Sequence, residues 1–165
     1  MNDEQLKADF LSLLDRCRGS LLRLCLIHTD RKPDSVKDLF QDIVYNLWLS
    51  FPNLRDKSSA HSWVYGVALN VAMMRHRTHR KQPDFVDLDD NMAEALADNG
   101  NDEQVETLYR LIDQLDKDDR ALLFFYIDRV PQKEIAAIYH TSEIAINHRI
   151  NRLKKKLRQM YEQEQ

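Results

Sequence analysis

Apolar side chains recur along most of this chain at the spacing of an α-helix, and this pattern restricts the fold more than any other feature. Leu6, Phe10 and Leu13 stand at i, i+4 and i+7, positions that share one face of a helix. Similar series follow to the other end of the sequence. Only three Gly and four Pro interrupt the 165 residues, and no strand-like alternation is visible. The sequence therefore predicts an all-α fold built from long helices.

The first half of the chain contains three such patterns. The predicted helices span residues 3–29, from Asp34 or Ser35 to Phe51, and from Ser58 or Ser59 to about Lys81. Gly19 weakens the middle of the first helix. Ser and Asp are favourable N-caps, and Pro52 ends the second helix because proline does not continue one. We predict a three-helix N-terminal domain over residues 1–81.

Acidic charge is concentrated in one strip. Residues 82–106 contain nine Asp or Glu and no Lys or Arg, whereas residues 1–81 carry a net charge of +4 and residues 107–165 a net charge of +2. Single-sign charge with few apolar residues is typical of linkers. We predict an acidic flexible linker at 82–103 between the N-terminal domain and a second domain at 104–165.

The second domain contains four helical patterns, and the last two form a helix, a short turn and another helix. The predicted helices span residues 104–115, from the cap Asp116 to Ile127, from about 132 to 140, and from Ser142 onward. The small Ala136 allows the last two helices to approach each other. His140 occupies the turn, where a left-handed backbone is expected, and histidine tolerates this conformation better than bulky residues do.

The last helix separates an apolar face from a polar one. If Ile146, Ile150 and Leu153 face inward, the Asn, His, Arg and Lys side chains between them face outward. Such a face suits a recognition helix, in which polar groups reach base edges and cations neutralise phosphates. The predicted DNA-contacting residues are Ser142, Asn147, His148, Arg149, Asn151, Arg152 and Lys155. The alternative is a solvated amphipathic helix whose cations complement the helix dipole.

Several classes of protein are disfavoured by the sequence. No apolar run approaches the roughly 20 residues of a membrane span, and the acidic start does not resemble a signal peptide. Cys17 and Cys25 are eight residues apart, about 12 Å along a helix, too far for a disulfide. We therefore expect reduced core cysteines in a cytoplasmic protein.

Motifs for catalysis, cofactors and metals are also missing from the sequence. It contains no Gly-rich phosphate loop, no HExxH and no nucleophile motif, so we predict no catalytic residues and no cofactor. His76 and His79 have metal-ligand spacing but stand among Arg residues that repel a cation, so we predict no metal site.

Three segments, taken in order, carry a family resemblance. DLFQDIVYNLW at 38–48 resembles the polymerase-binding helix of sigma region 2, and HSWVYGVALNVA at 61–72 resembles the promoter −10 helix. KEIAAIYHTSEIAINHRINRLKKKL at 133–157 resembles the helix-turn-helix of sigma region 4. The chain therefore resembles the bacterial RNA polymerase sigma factors of the extracytoplasmic-function group. The resemblance implies transcription initiation with core RNA polymerase and promoter DNA as partners, and regulation by an anti-sigma factor.

The resemblance also implies roles for individual positions in the first domain. Contacts to core polymerase would come from Asp38, Leu39, Gln41, Asp42 and Trp48. Contacts to the −10 element would come from Arg55, Lys57, Ser58, Ser59, His61, Ser62, Tyr65, Asn70, Arg75 and Arg77. Periodicity alone favours Leu39 as a core residue, with the acids on a solvated face. Trp63 and Tyr65 are also better explained as packing residues than as platforms for base stacking.

The sequence departs from the family pattern at some positions, and other functions remain open. Asn147 and Gly66 stand where basic residues are common, and Met73 and Met74 replace polar groups, which affects the promoter sequence that is expected. A stand-alone helix-turn-helix regulator and an all-helical adaptor that binds only protein are the alternatives. The acidic strip is explained equally by a solvated tether and by a polyanion that occupies a basic channel of polymerase.

Overall fold

The structure is a computed structural model that describes residues 2–55, 59–74 and 103–164, and every regular element in these ranges is a helix. The all-α prediction is confirmed. The chain divides into unit 1, Met1–Asn99, and unit 2, Gly100–Gln165. The predicted linker lies outside the described residues except for Glu103, which begins a helix instead.

The described part of unit 1, residues 2–55 and 59–74, contains three α-helices and one short 3-10 helix. They are α1 (Asp3–His28), α2 (Pro33–Ser50), the 3-10 helix (Phe51–Asn53) and α3 (Ala60–Met73). Asn2 caps α1 by accepting a 2.7 Å hydrogen bond from the Gln5 amide. Gly19 lies within α1 without interrupting it, because the buried apolar stripe continues on both sides.

Two helix ends in unit 1 differ from the sequence-based expectation. Helix α2 begins at Pro33, with Lys32 rather than Asp34 or Ser35 at the N-cap. Proline suits the first position of a helix, where its missing N–H costs no hydrogen bond. Helix α3 ends at Met73 with Met74 as its C-cap. The predicted continuation to Lys81 falls on residues outside the described ranges.

Aromatic packing organises the core of unit 1. The ring of Phe10 in α1 lies edge-on to Trp48, at 5.1 Å, and to Phe51, at 5.3 Å. Trp63 in α3 packs against Phe51 with ring centroids 6.2 Å apart. Edge-to-face pairs at these separations stabilise a core beyond the effect of buried area alone. The packing role predicted for Trp63 is therefore confirmed.

Residues 103–164, the described part of unit 2, form four α-helices, as the sequence predicts. They are α4 (Glu103–Asp113), α5 (Lys117–Ile127), α6 (Gln132–Tyr139) and α7 (Glu143–Glu164). Asp116 caps α5 as predicted, since its carboxylate accepts a 2.8 Å hydrogen bond from the Asp119 amide. Phe124 and Phe125 are fully buried, and Phe125 stacks edge-on against Tyr139 at 6.0 Å.

Cys17 and Cys25 are buried in α1, and neither forms a disulfide. Both belong to the core of unit 1, as expected. Within the described residues, no helix has the length and apolar character needed to cross a bilayer.

Candidate nucleic-acid interface

The turn between α6 and α7 is fixed by a left-handed residue. His140 has φ 56° and ψ 46°, as expected for this position. The Thr141 amide donates to the Ala136 carbonyl at 2.9 Å, and the His140 amide donates to the Ala137 carbonyl at 3.3 Å. This pair of bonds is the Schellman arrangement that satisfies the last carbonyls of a helix. Helix α6 therefore ends sharply, and the chain is redirected into α7.

The start of α7 is capped by a side chain. The Ser142 hydroxyl oxygen accepts a 3.1 Å hydrogen bond from the Ala145 amide, which satisfies one of the unpaired donors of the first turn. The predicted capping role of Ser142 is confirmed. Its hydroxyl retains a donor for a second partner.

Helix α7 has a buried face and an exposed face that the sequence predicts correctly. Ile146, Ile150 and Leu153 are buried. The exposed residues include every other predicted contact on this helix: Asn147, His148, Arg149, Asn151, Arg152 and Lys155. Because α7 continues for 22 residues, it presents amide and imidazole groups near its start and cations farther along. This is the order in which base edges and phosphates are met by a recognition helix.

Asn147 is oriented by a residue that the sequence analysis missed. The Gln132 side-chain amide donates to Asn147 Oδ1 across a distance of 3.4 Å. Gln132 is the first residue of α6, so the start of one helix contacts the start of the other. Gln132 directly follows Pro131, at the beginning of the first helix of the motif. This position is the sequence signal that could have identified it.

The cations of α7 do not all point the same way. Arg149 lies over the Tyr139 ring, 5.7 Å from its centroid. Lys156 forms a 2.9 Å ion pair with Asp119 of α5, and the hydrogen bond to this carboxylate raises the pKa of Lys156. A cavity of about 420 Å³ lies here, lined by Asp118, Asp119, Leu122, Tyr139, Arg149, Arg152, Leu153 and Lys156. Arg149 therefore contacts another side chain of unit 2, whereas Lys155 is not among the residues that line this cavity.

Predicted −10 residues in unit 1 lie at the start of α3 and along its surface. Arg55, Ser59, His61 and Asn70 are exposed, and Ser62 and Tyr65 are half-buried. His61 Nδ1 lies 3.4 Å from Cys17 Sγ, which ties the start of α3 to α1. The predicted residues Lys57, Ser58, Arg75 and Arg77 lie outside the described ranges.

Ser59 and Asn70 stand eleven residues apart, which is close to three full turns of helix. They therefore lie on the same side of α3, about 16 Å apart along its axis. The structure aligns these two groups but does not bring them into contact.

Two of the predicted polymerase contacts on α2 are buried. Leu39 is only 1% exposed and Asp42 only 4% exposed, so neither side chain is displayed on the surface. Leu39 shares the buried face with Ile43, which is the core role that periodicity favoured. Asp42 is also buried, although the sequence analysis expected the acids of α2 to lie on a solvated face.

The other predicted polymerase contacts on α2 remain accessible. Asp38 is exposed, and Gln41 and Trp48 are half-buried. Leu49, beside Trp48, is 55% exposed and was not predicted. Leu49 directly follows Trp48, which belongs to the apolar stripe of this helix. Periodicity alone therefore does not show that Leu49 is exposed.

No group of three potential metal ligands occurs in residues 2–55, 59–74 and 103–164. His76 and His79, the pair considered in the sequence, lie outside these ranges. What the described residues offer is an exposed polar and cationic helix face on a fixed turn, a form suited to binding a polyanion.

Comparison with protein families gives two matches. The family model described as Sigma-70 region 2 matches residues 13–82, and the model described as Sigma-70, region 4 matches residues 106–157. The first match lies in unit 1 and the second in unit 2. Comparison with curated proteins and with solved structures gave no match.

Proposed function

Because the chain belongs to the sigma-70 family, in its extracytoplasmic-function group, and directs RNA polymerase to promoters, we propose a division of labour between its two units. Unit 1 binds core polymerase and the −10 element, and unit 2 binds the −35 element. Members of this family are transcription initiation factors, not enzymes.

One observation supports the assignment of unit 2 above the others. The exposed face of α7 carries Asn147, His148 and Asn151, and the His140 turn fixes how this helix leaves α6. An asparagine side chain can pair with both the N6 and the N7 groups of adenine in the major groove. A preorganised face loses less entropy on binding than a flexible one. We therefore assign base contacts to these three residues.

Arg152 and Lys155 follow on the same helix, one turn and two turns beyond His148. Arg152 lines the cavity beside α5, and its planar guanidinium suits either a guanine edge or a phosphate. Lys155 is exposed at a position farther from the helix start, where phosphate contact is the simpler role. Arg149 lies over the Tyr139 ring, and we assign it a phosphate contact.

In unit 1, the exposed residues of α2 are the proposed contacts to core polymerase. Asp38 and Gln41 supply the polar part of this surface, and Trp48 with Leu49 supplies an apolar part. Interfaces commonly combine an aromatic anchor with a polar rim. Leu39 and Asp42 act indirectly, by holding α2 in place.

The −10 element is assigned to the start of α3 and to its exposed side. Arg55, Ser59, His61 and Ser62 surround the beginning of the helix, with Tyr65 and Asn70 along it. Extruding a base from a duplex costs a few kcal/mol, which polar contacts must offset. Lys57, Ser58, Arg75 and Arg77 complete the proposed set.

The net charge of −3 supports a factor that depends on its partner. DNA affinity increases with the number of phosphates that a protein neutralises with its cations. Because this chain is mildly acidic, we propose that polymerase supplies most of the positive charge that holds the DNA. A protein that covers the exposed parts of α2 or α7 would therefore block activity. We assign this role to an anti-sigma factor, and we place the activity in the cytoplasm, where polymerase and chromosome are located.

Run-off transcription with purified chain and core polymerase tests the proposal. Promoters are first selected from a random DNA pool by the complex. Chain-dependent transcripts from selected templates are expected. Footprints formed without polymerase would indicate a stand-alone regulator instead, and silence in both assays would indicate a protein-binding adaptor.

Variants then locate the activity on α7. Asn147→Ala is expected to lower transcription from the selected promoters, because its amide contacts a base. Gln159→Ala is the matched control, since it removes an exposed amide from the far end of the same helix. Equal transcription by both variants would contradict the assignment of α7.

A further inference from the structure

The exposed face of α7 includes one large apolar side chain that the sequence analysis did not select. Ile144 is 72% exposed. It precedes Asn147, His148 and Asn151 by three, four and seven residues, spacings that place all four on one side of a helix. Ile146 and Ile150 are buried on the opposite side. Ile144 is therefore part of the polar face.

The packing of unit 2 does not account for this residue. The core face of α7 is formed by Ile146, Ile150 and Leu153. Single exposed apolar residues are common on protein surfaces, so exposure alone is not informative. Its position is informative, because Tyr126 and Ile127, which are also exposed in unit 2, lie at the end of α5, whereas Ile144 lies on the same helix as the amides.

Ile144 lies in the first turn of α7, and this location determines whether its side chain can reach a base edge. Ser142 caps this helix, and the first residues of a recognition helix are those that approach base edges. In the major groove thymine alone displays a methyl group, at C5, and apolar side chains contact it. An isoleucine among hydrogen-bonding groups therefore adds the one kind of contact that they lack.

We propose that Ile144 packs against the C5 methyl group of a thymine in the −35 element and is a specificity-determining residue for that base pair. This inference rests on the proposed function of unit 2 and deepens it. Asn147 contacts an adjacent base pair from the same side of the helix. The −35 element used by this chain accordingly contains a thymine whose methyl group contributes to its recognition.

Replacing thymine by deoxyuridine tests the contact directly. Deoxyuridine keeps every pairing group and lacks only the methyl group. In promoters selected by the wild-type complex, each −35 thymine is replaced in turn, and binding by the complex with core polymerase is measured. One position is expected to lose about fourfold in affinity, the effect of removing one buried methyl-sized group.

The same scan with Ile144→Ala provides the decisive comparison. The fourfold preference for thymine at that position is expected to disappear, and Ile144→Val, which retains branched methyl groups, is expected to keep most of it. Tyr161→Ser is the control, since it removes an exposed apolar side chain from the far end of α7. Its preference should equal that of the wild type.

Three results would overturn the inference. They are a scan without any sensitive thymine, a preference that survives in Ile144→Ala, and selected elements without thymine. If selected templates are transcribed while one of these holds, the proposed function stands and only the role of Ile144 is wrong. If no template is transcribed in a chain-dependent way, both are wrong.

Discussion

Helices α2 and α7 use their surfaces in opposite ways. On α7 the core residues and the candidate contacts occupy separate faces, as Ile150 and Asn151 illustrate. On α2 the two sets overlap, because two of the predicted contacts, Leu39 and Asp42, are buried and Trp48 is half-buried. In the proposed function, α7 keeps its DNA-binding side chains apart from its core, whereas on α2 Trp48 belongs both to the core and to the proposed polymerase interface.

The aromatic cluster of unit 1 extends this contrast. Trp48 packs edge-on against Phe10 yet remains half-exposed. A residue of this kind holds the fold and is available to a partner at the same time. In unit 2 the aromatic residues Phe124 and Phe125 are fully buried, and the half-buried Tyr139 supports Arg149 without being a proposed contact itself. Mutations in unit 1 should therefore mix effects on stability and binding more often than mutations in unit 2.

The largest expected effect separates two neighbours on α2. Leu39→Ala should lower the free energy of unfolding by about 2–5 kcal/mol, because it leaves a cavity in the core. Asp38→Ala should change the free energy of unfolding by less than about 0.5 kcal/mol and should still weaken binding to core polymerase. Urea unfolding and a polymerase pull-down measure the two quantities. Loss of stability in both variants would remove the distinction between these positions.

On α7 the expected effects appear in binding and not in stability. Arg152→Ala should weaken use of the −35 element by about 1–3 kcal/mol if it contacts a base. Lys155→Ala should weaken binding to all sequences alike and reduce the salt slope by about one. Titration of selected and scrambled promoters at several salt concentrations separates the two roles. A uniform loss for Arg152→Ala would make it a phosphate contact.

A smaller effect is expected at Tyr139, on the inner side of the same interface. Its hydroxyl is buried and has no hydrogen-bond partner in the described part of the chain. Burial, with a contribution from Asp118, raises the pKa of Tyr139 to about 12, while Arg149 acts in the opposite direction. Tyr139→Phe should therefore be neutral at pH 7 or stabilising by up to about 1 kcal/mol, because no bond is lost.

The sign of the pH dependence follows from the raised pKa. Above pH 10 an unfolded tyrosine loses its proton while folded Tyr139 retains it, so the folded state binds more protons and stability falls as pH rises toward 12. Tyr139→Phe should reduce this slope. Urea midpoints of both proteins at pH 7 and pH 10.5 provide the measurement. An unchanged slope would mean that the hydroxyl is solvated.

The smallest expected effect concerns helix backbone in unit 1, whose helices contain Gly19 and Gly66. A Cβ added at Gly19 would lie 3.6 Å from Arg23 Nη1, an ordinary contact. Gly19→Ala should stabilise the protein by about 0.4–1 kcal/mol by restricting the unfolded chain, with unchanged transcription. Thermal unfolding tests this expectation. Destabilisation would show that α1 needs flexibility at this point.

The sequence allowed correct prediction of elements whose determinants are local. The apolar spacing of α7, the Asp116 and Ser142 caps and the left-handed His140 depend on a few neighbouring residues, and all are present in the structure. The start of α2 was wrong because Pro33 competes with two good caps. Its preference for the first helical position outweighed them.

Features that depend on tertiary contact were not predictable in this way. Three such features are the burial of Asp42, the position of Arg149 over Tyr139 and the Asp119–Lys156 ion pair. Each depends on how helices pack against one another. Periodicity assigns a face to each residue but not a partner. The contact between Gln132 and Asn147 required both the turn and the crossing of α6 with α7.

The left-handed residue at position 140 has a consequence for how this protein can vary. Helix α7 is 22 residues long, about 33 Å, so a tilt of about 10° at its start would displace its far end by about 6 Å. A β-branched replacement for His140, which resists this backbone conformation, would thus misalign the whole helix against a duplex without altering any side chain that touches it. The proposed promoter preference of this chain therefore depends on the backbone conformation at His140 as well as on the side chains of α7.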